Sequence, residues 1–200
     1  MIPSQRLLRI AAMLKPLEVH WACQLRPTKD FDYSLLKQLR DAGLVSVAWG
    51  VESGSDRILQ LMKKGTNTSD VAQVLADSHA AGIKNIAYVL FGFPTETKEE
   101  FLDTVRFLKQ QEPYLDLLSI SIFGLQRGTP AYNHPELFGI TKIMEKERTV
   151  LESTILYDVQ NGLTQEQASM LKKKYKKTFA SINKYPKTMT FFREHMICLG

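Results

Sequence analysis

The apolar positions of this 200-residue chain fall into short runs separated by amphipathic stretches. Runs at 17–25, 44–52, 84–91 and 117–123 have the length of strands. Residues 5–15, 31–41, 55–63 and 69–81 carry apolar side chains at helical spacing. Phe31, Leu35, Leu36 and Leu39 share one face of the second of these, with Gly43 just past its end. Thr97 and Glu100 have the spacing of a capping box and open a further helix, which Pro113 ends. Strands alternating with helices predict a parallel α/β sheet, and near-continuous apolar strands predict that both of its faces are covered. No GxGxxG follows the first strand, so a dinucleotide-binding fold is disfavoured. The prediction is a partial TIM-type (β/α) barrel over residues 1–139, with a mainly helical extension over 140–200. Residues 124–139 read as a long loop. Ala168, Leu171, Tyr175, Phe179 and Ile182 make a stripe expected to pack on the barrel.

Two of the strands end alike. One stops at Gly50-Val51-Glu52-Ser53-Gly54-Ser55, the other at Phe91-Gly92-Phe93-Pro94-Thr95-Glu96-Thr97. Carboxyl ends of parallel strands are where such folds bind ligands, so Glu52 and Gly92 are expected to line one shared pocket. Glu52 ends an otherwise apolar strand. Its alternative role, capping the next helix, is one that Ser53 or Ser55 can fill. A hydrogen bond from Glu52 to a ribose or an amino group is the reading preferred here. Glu96 precedes a helix start, where the helix dipole favours negative charge, and is read as structural. Gln24 and Arg26 end the first strand; Arg26 is either a carboxylate ligand or a surface residue.

Composition narrows the classes. Hydrophobic and charged fractions of 44% and 24% are ordinary for a globular protein. No apolar run reaches the ~18 residues of a membrane span, and the first residues lack a signal-peptide core. The two cysteines, Cys23 and Cys198, lack CxxC spacing, which fits a cytoplasmic location without disulfides. Cys23 is expected to be a buried small apolar residue. His20, His79, His134 and His195 share no metal-ligand spacing. The net charge of +5 arises entirely beyond residue 140, chiefly from Lys172, Lys173, Lys174, Lys176 and Lys177. These read as a solvated helix face in preference to a nucleic-acid patch, because no aromatic platform accompanies them.

The segment 50–59, followed by Met62-Lys63-Lys64-Gly65, resembles the fourth-strand region of radical S-adenosylmethionine (radical SAM) enzymes. Residues 91–97 resemble their fifth-strand motif, and 119–123 with Gly128-Thr129-Pro130 the sixth strand and its exit. Tyr175 through Tyr185-Pro186-Lys187 to Phe191-Phe192 is similar to the tail of the subgroup with a cobalamin-binding domain. The resemblance implies that the chain holds strands three to six of a six-strand partial barrel. It implies an S-adenosylmethionine site at Gln24, Arg26, Glu52, Ser53, Gly92, Phe93 and Phe123. It also implies a four-iron four-sulfur cluster, and in the cobalamin subgroup a corrinoid, in the full-length protein.

The CxxxCxxC that holds such a cluster does not occur. Nor does the Gly-Gly-Glu that orients the methionine amine. The expectation is therefore the C-terminal portion of a radical SAM oxidoreductase or methyl or methylthio transferase. No catalytic or metal-ligating residue of its own is assigned to the chain, and alone it should be inactive. Its substrate is unassigned. Dimerisation through the open barrel edge, or cover from the C-terminal helices, is expected. The alternatives are a phosphate-binding barrel lyase or isomerase, and a binding module that uses the lysine-rich helix.

Overall fold

The computed structural model describes residues 4–144 and 155–185. The first helix, α1 (Ser4–Leu14), leads through a 3-10 turn (Lys15–Leu17) into β1 (Trp21–Leu25). Glu18, in the left-handed region at φ 50°, separates them, so the strand starts four residues later than the apolar run does. The chain continues through α2 (Tyr33–Asp41), β2 (Leu44–Glu52), α3 (Asp56–Leu61), α4 (Thr68–Ala80), β3 (Lys84–Phe91), α5 (Lys98–Gln110) and β4 (Leu117–Ile122). Side chains cap the helices, at Ser55, Thr97 and Glu100 as the sequence predicts and at Asp32 and Asn67 in addition. Asp32, Ser55 and Asn67 accept N–H bonds at the starts of α2, α3 and α4. Thr97 and Glu100 close a complete capping box at α5.

β1–β4 form one parallel sheet in sequential order. Its two faces differ. Trp49, Ala87 and Leu118 occupy one row across the sheet, and Val89 with Ile120, then Phe91 with Ile122, the next rows. These side chains belong to the main core with residues of α2, α4 and α5, and Cys23 packs against it. The opposite face carries Gln24, Ala48, Gly50, Tyr88, Leu90, Ser119 and Ser121, none fully buried. The expectation that both faces are covered therefore holds on this side only around Ile86 and Leu117, which are buried with Tyr185 packed against them, and fails toward the carboxyl ends of the strands. One face packs into the main core throughout, and the other mixes Ile86, Leu117, Tyr88 and Leu90 with small and polar side chains toward the strand ends.

Beyond β4 the structure corrects two expectations. Residues 124–139 are not a plain loop, because α6 (Pro130–Asn133) and a 3-10 turn (Pro135–Phe138) lie within them. The extension is not mainly helical at its start. β5 (Ile140–Met144) pairs antiparallel with β6 (Leu156–Val159). Leu125, Ala131, Ile140, Ile155 and Tyr157 make a second small core there, spanning residue 139. Two helices follow, α7 (Gln165–Lys174) and α8 (Lys176–Ile182), broken at Tyr175. The predicted stripe lies on the main core, with Ala168, Phe179 and Ile182 buried and Leu171 and Tyr175 packed beside them.

The helical extension covers the β4 edge, at the far side of the sheet from β1, where strands were expected to be lacking. Asn183 Oδ1 accepts from Leu118 N at 2.7 Å, and Lys172 Nζ donates to Ile120 O at 2.7 Å. Lys184 N donates to Asp116 O at 3.0 Å. These bonds satisfy edge groups that would otherwise attract another strand.

Candidate functional site

Glu52 is the last residue of β2, where the pairing with β3 shifts register after Gly50. Its φ is 63°, a left-handed conformation that costs a non-glycine residue roughly 1 kcal/mol or more. The strained turn directs the carboxylate into a cavity of about 240 Å³ bordered by Gln24, Arg26, Phe31, Gly50 and Lys64. Lys64 Nζ lies 2.6 Å from Glu52 Oε1. Lys64 comes from the turn after α3, and two bonds hold that turn across the strand ends. Arg26 Nη1 donates to Lys64 O at 3.0 Å, and Thr66 Oγ1 donates to Pro27 O at 2.6 Å. Gln24, Arg26 and Glu52, singled out from sequence, are thus brought together. Phe31 and Lys64 join them without having been singled out. The signal for Lys64 lay only in the Met62-Lys63-Lys64-Gly65 run, whose role as a wall is set by tertiary contacts.

Ser53 turns the other way. Its side chain is buried, with Oγ 3.2 Å from Thr104 Oγ1 and accepting from Ser55 N at 3.1 Å. Ser53 fastens the turn to α5 and does not border the cavity. Gly54 completes this contact, because an added Cβ would lie 2.7 Å from Thr104 Cα. It permits a helix, and no ligand, to approach closely.

The end of β3 is built differently. Gly92 has φ 71°, and a Cβ there would lie 2.8 Å from Ala168 Cβ on α7. Its N–H donates to Glu96 Oε2 at 2.6 Å. Glu96 is fully buried and its Oε1 has no hydrogen-bond partner among the described residues. Burial pushes its carboxyl up to about 7, against the opposing Gly92 hydrogen bond. The structural reading of Glu96 holds, though its carboxyl is buried against Gly92 N–H and does not face solvent at the helix start. It is a structural acid held inside the turn, where Leu163 N donates to its carbonyl at 2.7 Å. Tyr157 Oη donates to Gly92 O at 3.3 Å from the second small core.

Gly92 itself borders neither cavity. Phe93 meets Phe123 edge-on at 5.0 Å and Phe138 at 6.0 Å. With Leu90, Ser121, Met62 and Lys64 they surround a second cavity of about 660 Å³. The single expected mouth is therefore two cavities that meet at Lys64.

One ion pair fixes the two strand ends relative to each other. Arg57 of α3 donates to both carboxylate oxygens of Glu100, at 2.7 and 2.6 Å, and to Thr95 O at 2.7 Å. Ser55 Oγ and Thr97 N donate to the same carboxylate. Burial raises the Glu100 pKa, but these donors together outweigh it and bring it to about 2.

Known proteins resemble the chain in sequence and in fold. The pattern of the radical SAM superfamily matches residues 4–108. The chain is 30% identical over 134 residues to a tRNA-2-methylthio-N(6)-dimethylallyladenosine synthase of Thermotoga petrophila, covering 64% of this chain and 29% of that protein. The fold matches coproporphyrinogen III oxidase from Escherichia coli, a radical SAM enzyme, with TM-score 0.59, 13% identity and coverage of 88% of this chain and 38% of that one. It also matches a radical S-adenosylmethionine methyltransferase from Kitasatospora setae, solved with cobalamin and an iron–sulfur cluster. That match has TM-score 0.50 and 20% identity, and covers 64% of this chain and 26% of that one. The chain thus spans less than a third of the length of the curated relative it matches. These matches bear out the partial barrel and set aside the phosphate-binding lyase or isomerase.

The family's two cofactors fare differently against the residues present. S-adenosylmethionine fits the donor set. A carboxylate and an amide suit a diol or an ammonium, Arg26 and Lys64 suit a carboxylate, and the phenylalanine-lined cavity suits a flat base. A four-iron cluster does not fit, because the chain has two cysteines. Cys23 lies on the helix-covered face, its thiol pushed by burial to about 12, and the described residues hold no cluster of three metal-ligating groups. Family pattern, parallel partial barrel and polar strand ends agree: the chain belongs to the radical SAM superfamily.

Proposed function

We propose that this chain carries the S-adenosylmethionine-facing half of a radical SAM methylthio- or methyltransferase, with the cluster held by residues outside it. The observation that supports this most is Glu52, kept in a strained backbone conformation with its carboxylate facing Gln24, Arg26 and Lys64. Strain at a strand end persists when the surrounding structure enforces it, and it concentrates at ligand sites. The Glu52–Lys64 pair matches an amino-acid zwitterion in sign, with Glu52 for the ammonium and Lys64 with Arg26 for the carboxylate. The ring-lined cavity beside it takes the adenine against Phe93 and Phe123. Methylthio transfer, to an adenosine of tRNA, is the reaction named for the Thermotoga relative, and it is the first choice of chemistry for this chain.

Isothermal titration of the chain with S-adenosylmethionine tests the site. Saturable one-to-one binding is expected, with Glu52→Ala weakening it at least tenfold, about 1.4 kcal/mol. Equal affinity in parent and variant would remove Glu52 from the site. Anaerobic incubation with iron and sulfide tests the division of labour. No cluster absorbance at stoichiometric level is expected from this chain, and a stable cluster would overturn it.

A further inference from the structure

A third cavity, of about 580 Å³, lies on the helix-covered face of β4, away from Glu52. Its floor is made by Leu118, Ile120 and Ile122 of the strand and by Phe179 and Ala180 of α8. Its rim carries Lys172, Lys173 and Lys176. None of these lysines has a carboxylate partner among the described residues. The acid at the head of the strand, Asp116, lies 3.7 Å from Lys84 and 3.9 Å from Lys184. Lys172 is not a solvated surface group. It is partly buried, its Nζ donates to Ile120 O at 2.7 Å, and burial lowers its pKa. An ammonium has three donors, and one of them is committed to that carbonyl. A cation drawn into apolar surroundings without a counter-charge is costly unless a ligand supplies one.

The same groups say what the occupant is not. The β4 edge is capped at Leu118 N by Asn183 and at Ile120 O by Lys172, so an added strand would have to displace both. The cavity volume is that of a small-molecule site, about 300–1,000 Å³. We infer that this groove binds a single-chain anionic amphiphile, with its hydrocarbon on Leu118, Ile120 and Phe179 and its carboxylate or phosphate on Lys172 and Lys176. The inference is independent of the S-adenosylmethionine site.

Titration of the chain with decanoate and with decyl phosphate, both below their micelle concentrations, tests it. One-to-one binding is expected, at least tenfold tighter than that of decanol or inorganic phosphate. Lys172→Met should weaken decanoate at least tenfold. Ala180→Phe, which fills the groove, should do the same. Both variants should leave the S-adenosylmethionine titration unchanged. Decanol binding as tightly as decanoate would overturn the proposal. So would unchanged decanoate affinity in both variants, or binding to phosphatidylglycerol vesicles or an oligonucleotide but not to the monomeric amphiphile.

Discussion

Glu52 and Glu96 belong to two strand endings of similar composition, Glu52 two residues after Gly50 and Glu96 four after Gly92, and the fold puts them to opposite uses. Glu52 lies 2.6 Å from Lys64 Nζ and faces a cavity at the cost of a left-handed backbone. Glu96 is fully buried, accepts one backbone N–H, and has a carboxyl shifted up to about 7. The difference comes from what lies above each turn. The segment after α3 brings a lysine over Glu52. The β6–α7 connection closes over Glu96, where Leu163 N reaches its carbonyl and Ala168 of α7 rests on Gly92. A carboxylate at a strand end is therefore a ligand group only where the next layer of structure leaves it an opening.

Four measurements break or sharpen this contrast. The largest effect is expected from Gly92→Val, which meets both a φ of 71° and Ala168 at 2.8 Å. It should destabilise the fold by about 4 kcal/mol in denaturant unfolding. A cost below about 1 kcal/mol would mean that the turn is not pinned by α7.

Next comes the pH dependence of Glu96. Its folded pKa is raised from 4.5 to about 7. Its contribution is thus complete below pH 4.5 and is lost as pH rises to 7. The loss is about 3 kcal/mol. Glu96→Gln keeps an oxygen for Gly92 N–H and removes the titration. Its unfolding free energy should match the parent near pH 4 and exceed it near pH 8. Parallel curves for the two proteins would place Glu96 in contact with water.

Glu100 runs in the opposite sense. Its pKa is lowered from 4.5 to about 2, so its stabilisation is present above pH 4.5 and lost as pH falls to 2. Arg57 is half exposed, and solvent screening leaves about 1–2 kcal/mol for Glu100→Gln at neutral pH. A flatter acid limb in the variant's unfolding curve is the expected signature.

The smallest stability effect belongs to Glu52→Asn, since Asn tolerates left-handed φ and only a partly exposed ion pair is lost. A change within about 1 kcal/mol, together with at least tenfold weaker S-adenosylmethionine binding, would mark Glu52 as serving a ligand and not the fold. A large loss of stability with intact binding would reverse the roles given to the two acids.

The strands and helices through β4 were legible because their apolar periodicity and caps agree, as at Thr97 and Glu100. The β5–β6 hairpin was not. Its strands have five and four residues, too few to establish an alternation, and their pairing depends on the small core around Leu125 and Tyr157. At the site, Gln24, Arg26 and Glu52 were readable because a polar residue ending an apolar strand needs a reason. Ser53 and Gly92 shared that position in sequence but face α5 and α7 in the fold. Lys64 was illegible as a site residue because its place depends on Arg26 and Thr66 holding a turn over a distant strand.

Lys64 forms part of the wall of both cavities beside the strand ends. It works as a party wall: a guest that draws the ammonium away from Glu52 redraws the neighbouring chamber too. Occupancy of the two chambers is then thermodynamically linked. Offered the two ends of S-adenosylmethionine as separate molecules, the chambers must respond reciprocally: whatever factor methionine in the first applies to the affinity of adenosine for the second, adenosine must apply to methionine.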